Sequence, residues 1–348
     1  MENKKSNFSR RKFLGTAATF AAGAAISGPY LLAAPTKLKN PYRPNSIING
    51  VQIGVITYSF RSMPDQSAEA TLKYILDCGI SAIELMGDPV ESFAGKLENP
   101  VNRRAYYSLM RSKRRGEVLS DLQEKELAEM EEKTAAYNKE VAQWRSTVSM
   151  DKFEELRKMY NDAGVTIYAF KPRAFGKDNT DDEINWGMRA AKTLGASHVT
   201  LEHPDDDIHT QKLGAMAKKH GIYVAYHGHE QQTPTFWDTA LKQSKYNALN
   251  LDLGHYVAAG NKAPLDIIKS KHKRIMSMHT KDRQTPEHGK GNLPWGTGDT
   301  PITQALQLIR DNKYKFPVTI ELEYDIPEGS NAVEEVKKCL EYCKMSLA

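Results

Sequence analysis

The chain has 348 residues, 40% hydrophobic and 26% charged, with 23 Gly and 16 Pro. Such a composition excludes a disordered tail, a fibrous repeat and a bundle of membrane helices, and the length admits one large domain or two ordinary ones. The formal net charge is +5, but Lys4, Lys5, Arg10, Arg11 and Lys12 stand against Glu2 alone in residues 1–34, which leaves about +1 for the rest. A near-neutral body has no electrostatic reason to seek nucleic acid. Three cysteines (Cys78, Cys339, Cys343) are too few for a disulfide framework, and the last two, one helical turn apart, read as ordinary helix residues.

At the amino terminus Ser9-Arg10-Arg11-Lys12-Phe13-Leu14-Gly15 precedes an uncharged, Ala/Gly-rich stretch from Thr16 to Ala34. A basic start, a short apolar segment and small residues at Ala33-Ala34 describe a secretory signal, and the paired arginines resemble the twin-arginine export signal of bacteria. The competing reading is a membrane anchor, which the weak hydrophobicity and the Gly28-Pro29 break disfavour. Residues 1–34 are therefore expected to be a removable tag, the mature protein periplasmic with no stable membrane span, and 35–50 a linker.

From residue 51 to 348 one pattern repeats: a β-branched run ending in a polar residue, then an amphipathic helix. Strands are expected at 52–58, 80–86, 165–171, 197–202, 222–227, 247–252, 274–280 and 317–323. Helices are expected at 66–77, 101–162, 181–194, 209–219, 234–244, 263–271, 300–312 and 331–345. Gly79, Gly164, Gly195 and Gly221 stand where helices stop and strands begin. Eight alternating units predict an α/β fold, a (β/α)8 TIM barrel. No strand ends in G-x-G-x-x-G, so a dinucleotide fold has no phosphate loop. The Arg/Lys/Glu-rich stretch 95–160 is too long for one barrel helix. It is expected to be a helical insertion after strand two: two antiparallel helices turning near Arg115-Gly116. It serves either as a solvated elaboration, as a lid, or as a contact between copies in a homo-oligomer.

Polar residues collect at the expected strand ends: Glu84, Lys171, Glu202-His203, His227-Gly228-His229-Glu230, Asp252-Leu253-Gly254-His255, His279-Thr280-Lys281-Asp282 and Glu321-Leu322-Glu323. In such a barrel, catalytic groups come from this rim. Imidazoles with carboxylates suit a divalent ion, Mn²⁺, Zn²⁺, Co²⁺ or Fe²⁺, with Mg²⁺ also open; a metal-free polar pocket is the alternative. Glu321 and Glu323 share a strand face, as do His227 and His229, and His255 follows Asp252 in a Gly-containing turn.

These motifs resemble the xylose isomerase-like barrel superfamily of sugar isomerases, epimerases and inosose dehydratases, over about residues 50–345. The most specific are Tyr226-His227-Gly228-His229, Leu251-Asp252-Leu253-Gly254-His255 and Met278-His279-Thr280-Lys281-Asp282, joined by Ile320-Glu321-Leu322-Glu323 and Ile83-Glu84-Leu85. The resemblance implies a metal held by His227, Asp252, His279 and Glu321, with His227 standing where the epimerases carry Glu. That departure weakens symmetrical two-base epimerisation, and the His-x-His form points to the dehydratase and keto-sugar lyase branches.

The chemistry implied is removal of a proton beside a sugar carbonyl, with the ion stabilising the enediolate. Candidate catalytic groups are Glu202, Glu323 and His255 as bases, with Lys281 stabilising charge. Glu84, Lys171, His229 and Trp295 are candidate substrate contacts; Tyr58, Phe170 and Trp237 are aromatics near strand ends. The loop Trp295-Gly296-Thr297-Gly298-Asp299 looks flexible enough to reach a ligand. The expected partner is a small sugar or keto-glycoside. The competing functions are a keto-glycoside lyase or dehydratase, a non-catalytic carbohydrate-binding barrel, and an endonuclease at abasic DNA sites, which near-neutral charge disfavours.

Overall fold

The computed structural model describes residues 43–348, so the expected signal at 1–34 and the first half of the expected linker lie outside the described residues. Eight parallel strands close into a barrel: β1 (Val51–Ile56), β2 (Ala82–Met86), β3 (Thr166–Lys171), β4 (His198–Glu202), β5 (Tyr223–His227), β6 (Asn247–Asp252), β7 (Ile275–Thr280) and β8 (Val318–Ile320). Neighbours in sequence are neighbours in the sheet, and β8 pairs with β1 to seal the ring. This is the (β/α)8 barrel that the eightfold repeat predicts. Part of the expected linker belongs to the fold: Ile47–Ile48 pairs antiparallel with β1, and buried Ser46 donates to Ile53 O at 2.6 Å.

Alternation along the strands sorts the molecule into two zones. One set of side chains, including Ile53, Val55, Ile83, Leu85, Val199, Val224, Leu249, Leu251, Met278 and Val318, packs under the helices and builds the apolar core. The other set points to the barrel axis and is polar: Glu84, His198, Thr200, His227, Asn250, Asp252, Ser277, His279 and Thr319 are all buried. Tyr168 crosses the axis to Thr319 Oγ1 at 2.7 Å. Gly54 makes room for it, because a Cβ there would stand 2.7 Å from the Tyr168 hydroxyl.

The helices begin and end on local chemistry. Thr180 and Glu183 form a capping box at the start of Asp181–Leu194, and Asp206 caps Asp207–His220. The expected insertion differs in one respect. The turn falls at Arg115-Gly116 between Arg103–Arg114 and Asp121–Thr147, but extended backbone at Val148 then breaks the chain and a third helix, Asp151–Asp162, follows. This third helix buries Phe153, Leu156 and Tyr160 and is the barrel's own helix before β3. The long insertion helix buries only Leu127, Val141 and Arg145. Arg145 anchors it, donating to Glu183 Oε1 at 2.9 Å, to Arg173 O at 3.0 Å and to the Glu91 carboxylate at 3.3 Å. Cys78, Cys339 and Cys343 are free and buried. Among the described residues no helix is long and apolar enough to cross a membrane.

Candidate active site

The carboxyl ends of β5, β6, β7 and β8 bring four side chains together. His227, Asp252, His279 and Glu321 are all buried, and each offers a ligand atom within 4.8 Å of the others. Their roles follow from what holds them. His227 Nδ1 lies 2.7 Å from Asn250 Oδ1; an amide oxygen only accepts, so Nδ1 carries the proton and Nε2 turns a bare lone pair to the cluster. Burial pushes this imidazole down to about 3, aided by Lys171, so it is neutral. Asp252 caps the helix Leu253–Ala258, its Oδ1 accepting the His255 backbone N–H at 2.7 Å. The expected turn at 252–255 is thus the first turn of a helix, and Asp252 Oδ2 is left facing the cluster.

His279 bridges two carboxylates, with Nε2 2.7 Å from Glu84 Oε2 and Nδ1 3.0 Å from Glu321 Oε2. Burial opposes its charge, but Glu84 and Glu321 outweigh burial and raise it to about 10. Glu84 is itself fastened by Thr200 Oγ1 at 2.6 Å and Asn250 Nδ2 at 3.3 Å. Burial works against its ionisation too, yet His279, Lys171 and Thr200 hold it at about 2.

Lys281 supplies the cation of the site. Its Nζ lies 2.6 Å from Glu323 Oε2, 2.7 Å from Glu321 Oε2 and 3.0 Å from Asp252 Oδ2. Burial favours the neutral amine, but these three carboxylates win and hold it protonated. Gly254 permits this approach: a Cβ there would overlap Lys281 Cγ and stand 2.7 Å from its carbonyl oxygen. His255 lies between Lys281 Nζ, 3.0 Å from Nε2, and Arg283, 2.6 Å from Nδ1.

The opposite wall of the mouth is a second lysine–glutamate pair. Lys171 Nζ donates to Glu202 Oε1 at 3.0 Å, and His229 Nε2 lies 3.4 Å from Glu202 Oε2. Glu202 and His229 are half exposed. Burial raises the Glu202 carboxyl, but His227, Lys171 and His229 bring it to about 2.

The residues present fit a divalent ion. The four donors are two nitrogens and two carboxylates: Asp252 Oδ2 is buried with an ion pair to Lys281 but no hydrogen bond among the described residues, His227 Nε2 is unprotonated, and His279 would give up its Nδ1 proton to take an ion. Each histidine is backed by a fixed partner, Asn250 or Glu84, as metal-binding imidazoles generally are. Lys281 shares two of the same carboxylates, so an ion would compete with the ammonium for them.

Of the expected site residues, His227, Asp252, His279, Glu321, Lys281, Glu323 and His255 meet around the cluster, with Lys171, Glu202 and His229 beside it. Glu84 is fully buried beneath His279 rather than facing the mouth. The Trp295 ring packs 5.9 Å from that of Tyr342 on the final helix, and its Nε1–H makes no hydrogen bond among the described residues. Its loop is pinned, because Asp282 Oδ2 accepts the backbone N–H groups of Gly296, Thr297 and Gly298 at 2.8, 3.1 and 2.9 Å. Trp237 and Phe170 are core residues, whereas Tyr58 is 40% exposed. His203 packs on Tyr226 and Phe236. Asn250, Thr200, Ser277 and Arg283 were not legible as functional from motif matching. Their signal is the two-residue period of polar positions, His198-x-Thr200-x-Glu202, Asn250-x-Asp252, Ser277-x-His279-x-Lys281-x-Arg283 and Thr319-x-Glu321-x-Glu323.

The profile of the xylose isomerase-like TIM barrel family matches residues 132–343, and the chain belongs to that family. Over 153 residues, 38% of this chain, it is 29% identical to an inosose dehydratase of Clostridium perfringens, and it spans about half (51%) of that relative's length. The fold superposes on the probable 3-DHS dehydratase of petrobactin synthesis from Bacillus anthracis with a TM-score of 0.56 at 14% identity, covering 84% of this chain and 98% of that one. On 3-keto-D-glucoside 4-epimerase from E. coli the TM-score is 0.54 at 11% identity, covering 85% and 99%. At these identities the two superpositions speak for the fold.

Proposed function

We propose that this protein is a metal-dependent enzyme that removes the proton from the carbon beside a sugar carbonyl, in the manner of the sugar isomerases and epimerases. The observation that carries this reading is the convergence of His227, Asp252, His279 and Glu321 at the barrel mouth, flanked by Lys171–Glu202 on one side and Lys281–Glu323 on the other. A divalent ion held by those four residues would supply Lewis acidity beside the reacting carbon. The chain's own residues supply the proton handling. Glu202 is ionised and open to the mouth, so it takes the substrate proton, and Lys171 holds it in place. Glu323 stands on the other side with Lys281 as its counter-ion. A group positioned in this way contributes about 10²–10⁴-fold.

A second reading, elimination of a group β to the carbonyl by a dehydratase or keto-glycoside lyase, is favoured by His227. Its Nδ1–H is committed to Asn250 and its Nε2 to the cluster, so strand β5 carries no second base for inversion. The match to an inosose dehydratase supports the same branch. The twin-arginine resemblance of residues 9–15 supports a periplasmic setting, where a free or oxidised sugar or a glycoside is a more available substrate than a sugar phosphate.

The test is incubation of metal-loaded protein with aldoses, ketoses and 3-keto-glycosides in D₂O, read by NMR. Deuterium at the α-carbon is expected. An inverted centre assigns epimerisation, and lost water or released aglycone assigns elimination. Sugar binding without exchange on any substrate would leave a carbohydrate-binding barrel and overturn the catalytic reading.

A further inference from the structure

We propose that a cleft beside Glu323, walled by Arg61 and Asp325, is a subsite for a second, uncharged sugar unit, so that the substrate is a glycoside of at least two units. The place of that unit next to a reacting sugar rests on the proposed function; the preference for two linked units is a binding property of the resting protein.

The cleft lies between the turn after β1 and the chain that leaves β8, and its volume is about 240 Å³. That is below the range of pockets that take drug-sized ligands, and it suits one small unit. Glu323 forms part of its wall, and the same side chain pairs through Oε2 with Lys281 at 2.6 Å beside the ion cluster. A group in the cleft is therefore next to whatever occupies the barrel mouth. Donors and acceptors stand side by side there. Arg61 Nη1 donates to Leu322 O at 2.7 Å and to Tyr58 O at 3.3 Å, while its Nε and Nη2 N–H groups have no partner among the described residues. Glu323 Oε1 and the carboxylate of exposed Asp325 have none there either. An anionic group would meet two carboxylates, and a cationic one would meet the guanidinium. A hydroxyl both donates and accepts, so it satisfies either wall. Neighbouring hydroxyls on one ring fit such a pair of walls, which is the chemistry of a neutral sugar.

The walls are held in place by the protein itself. The Arg61 guanidinium lies over the Tyr58 ring, 4.5 Å from its centre. Ser59 Oγ accepts the Leu322 backbone N–H at 3.0 Å, while Arg61 holds the Leu322 carbonyl. The residue between Glu321 and Glu323 is thus gripped at both its N–H and its C=O, so one stretch of chain sets the cleft and the carboxylates of the site together. Groups fixed in this way lose little freedom on binding.

The test is calorimetric titration with unoxidised probes, methyl glucoside against methyl cellobioside, methyl maltoside and methyl lactoside. At least one two-unit probe is expected to bind about 10- to 100-fold more tightly than the one-unit probe, in keeping with hydrogen bonds to charged groups. Saturation-transfer NMR should find both of its rings in contact with the protein. Arg61→Ala should bring the two-unit advantage close to nothing and release one ring from contact. Should Arg61→Ala not fold, Asp325→Ala, which removes an exposed side chain, is expected to reduce the advantage as well. No advantage for any two-unit probe, or an advantage unchanged in the variants, would overturn the subsite. Tighter binding when the second unit carries a carboxylate, tested with the uronic acid of the best probe, would overturn its neutral character. A two-unit preference with no deuteration of any sugar would uphold the cleft and overturn only the catalytic reading, while deuteration of monosaccharides without that preference would do the reverse.

Discussion

The ammonium of Lys281 rests 2.7 Å from Glu321 Oε2, on a carboxylate that also belongs to the four-residue ion cluster. One buried cation thus sits on the groups that a divalent ion would need, and loading such an ion would be a competition.

Replacing Lys281 by Met should release Asp252 and Glu321 to the ion. Coupling of roughly 1–3 kcal/mol between contacting groups predicts divalent affinity about 5- to 100-fold tighter by calorimetric titration. Without metal, the same variant leaves buried carboxylates uncompensated and should lose about 3–5 kcal/mol of stability. The metal-induced rise in Tm should accordingly exceed that of wild type. Weaker binding in Lys281→Met would show that Lys281 supports the ion rather than competing with it.

Protein purified without chelator should carry about one divalent ion per chain, since the cluster has one set of four donors. Elemental analysis should find it lost in Asp252→Ala and in His279→Ala. Wild-type protein devoid of metal under those conditions would defeat the prediction.

Glu84→Gln and Asn250→Ala leave all four donors in place but remove the partners that orient His279 and His227. Each is expected to weaken metal binding by about 10- to 100-fold, with the fold retained by circular dichroism. Unaltered affinity would mean that neither partner sets its imidazole.

His198 provides the pH prediction. It lies inside the barrel, its Nε2 3.0 Å from Ser277 Oγ, and burial pushes its pKa from 6.5 down to about 4. The unfolded chain therefore binds the extra proton between those values, so stability is full above about pH 6.5 and is lost as pH falls towards 4. The shift corresponds to about 3 kcal/mol at its limit. Denaturant unfolding of wild type and His198→Gln should show a shallower decline over that window in the variant. Parallel curves would remove His198 as a cause.

The eightfold alternation of the barrel was legible in the sequence because both its periods are local: Asn247–Asp252 and Asp181–Leu194 fall where patterning puts them. Glu321 and Glu323 were expected within the last strand, yet regular pairing stops at Ile320, because β8 is short and the chain leaves the ladder at the rim. The helix Asp151–Asp162 was hidden, since the charged sequence before it carries the same helical period and only the backbone at Val148 divides them. At the site, residue type and position at strand ends pointed to His227, Asp252, His279 and Glu321. What they could not convey is which groups share a proton. Lys281 on the ligand carboxylates, Glu84 beneath His279 and Arg283 behind His255 are cross-barrel relationships between residues far apart in the chain.

Strand β7 and its continuation put neighbouring residues to opposite uses. Lys281 turns inward to the cluster, while Asp282 turns outward and receives the loop amides of Gly296, Thr297 and Gly298. The loop is thereby spliced to the ribbon that carries His279 and Lys281, and it travels with that ribbon as one stiff unit. Any adjustment at the mouth to ligands of different size would then fall to its opposite shore, where Glu202 and His229 stand half in water.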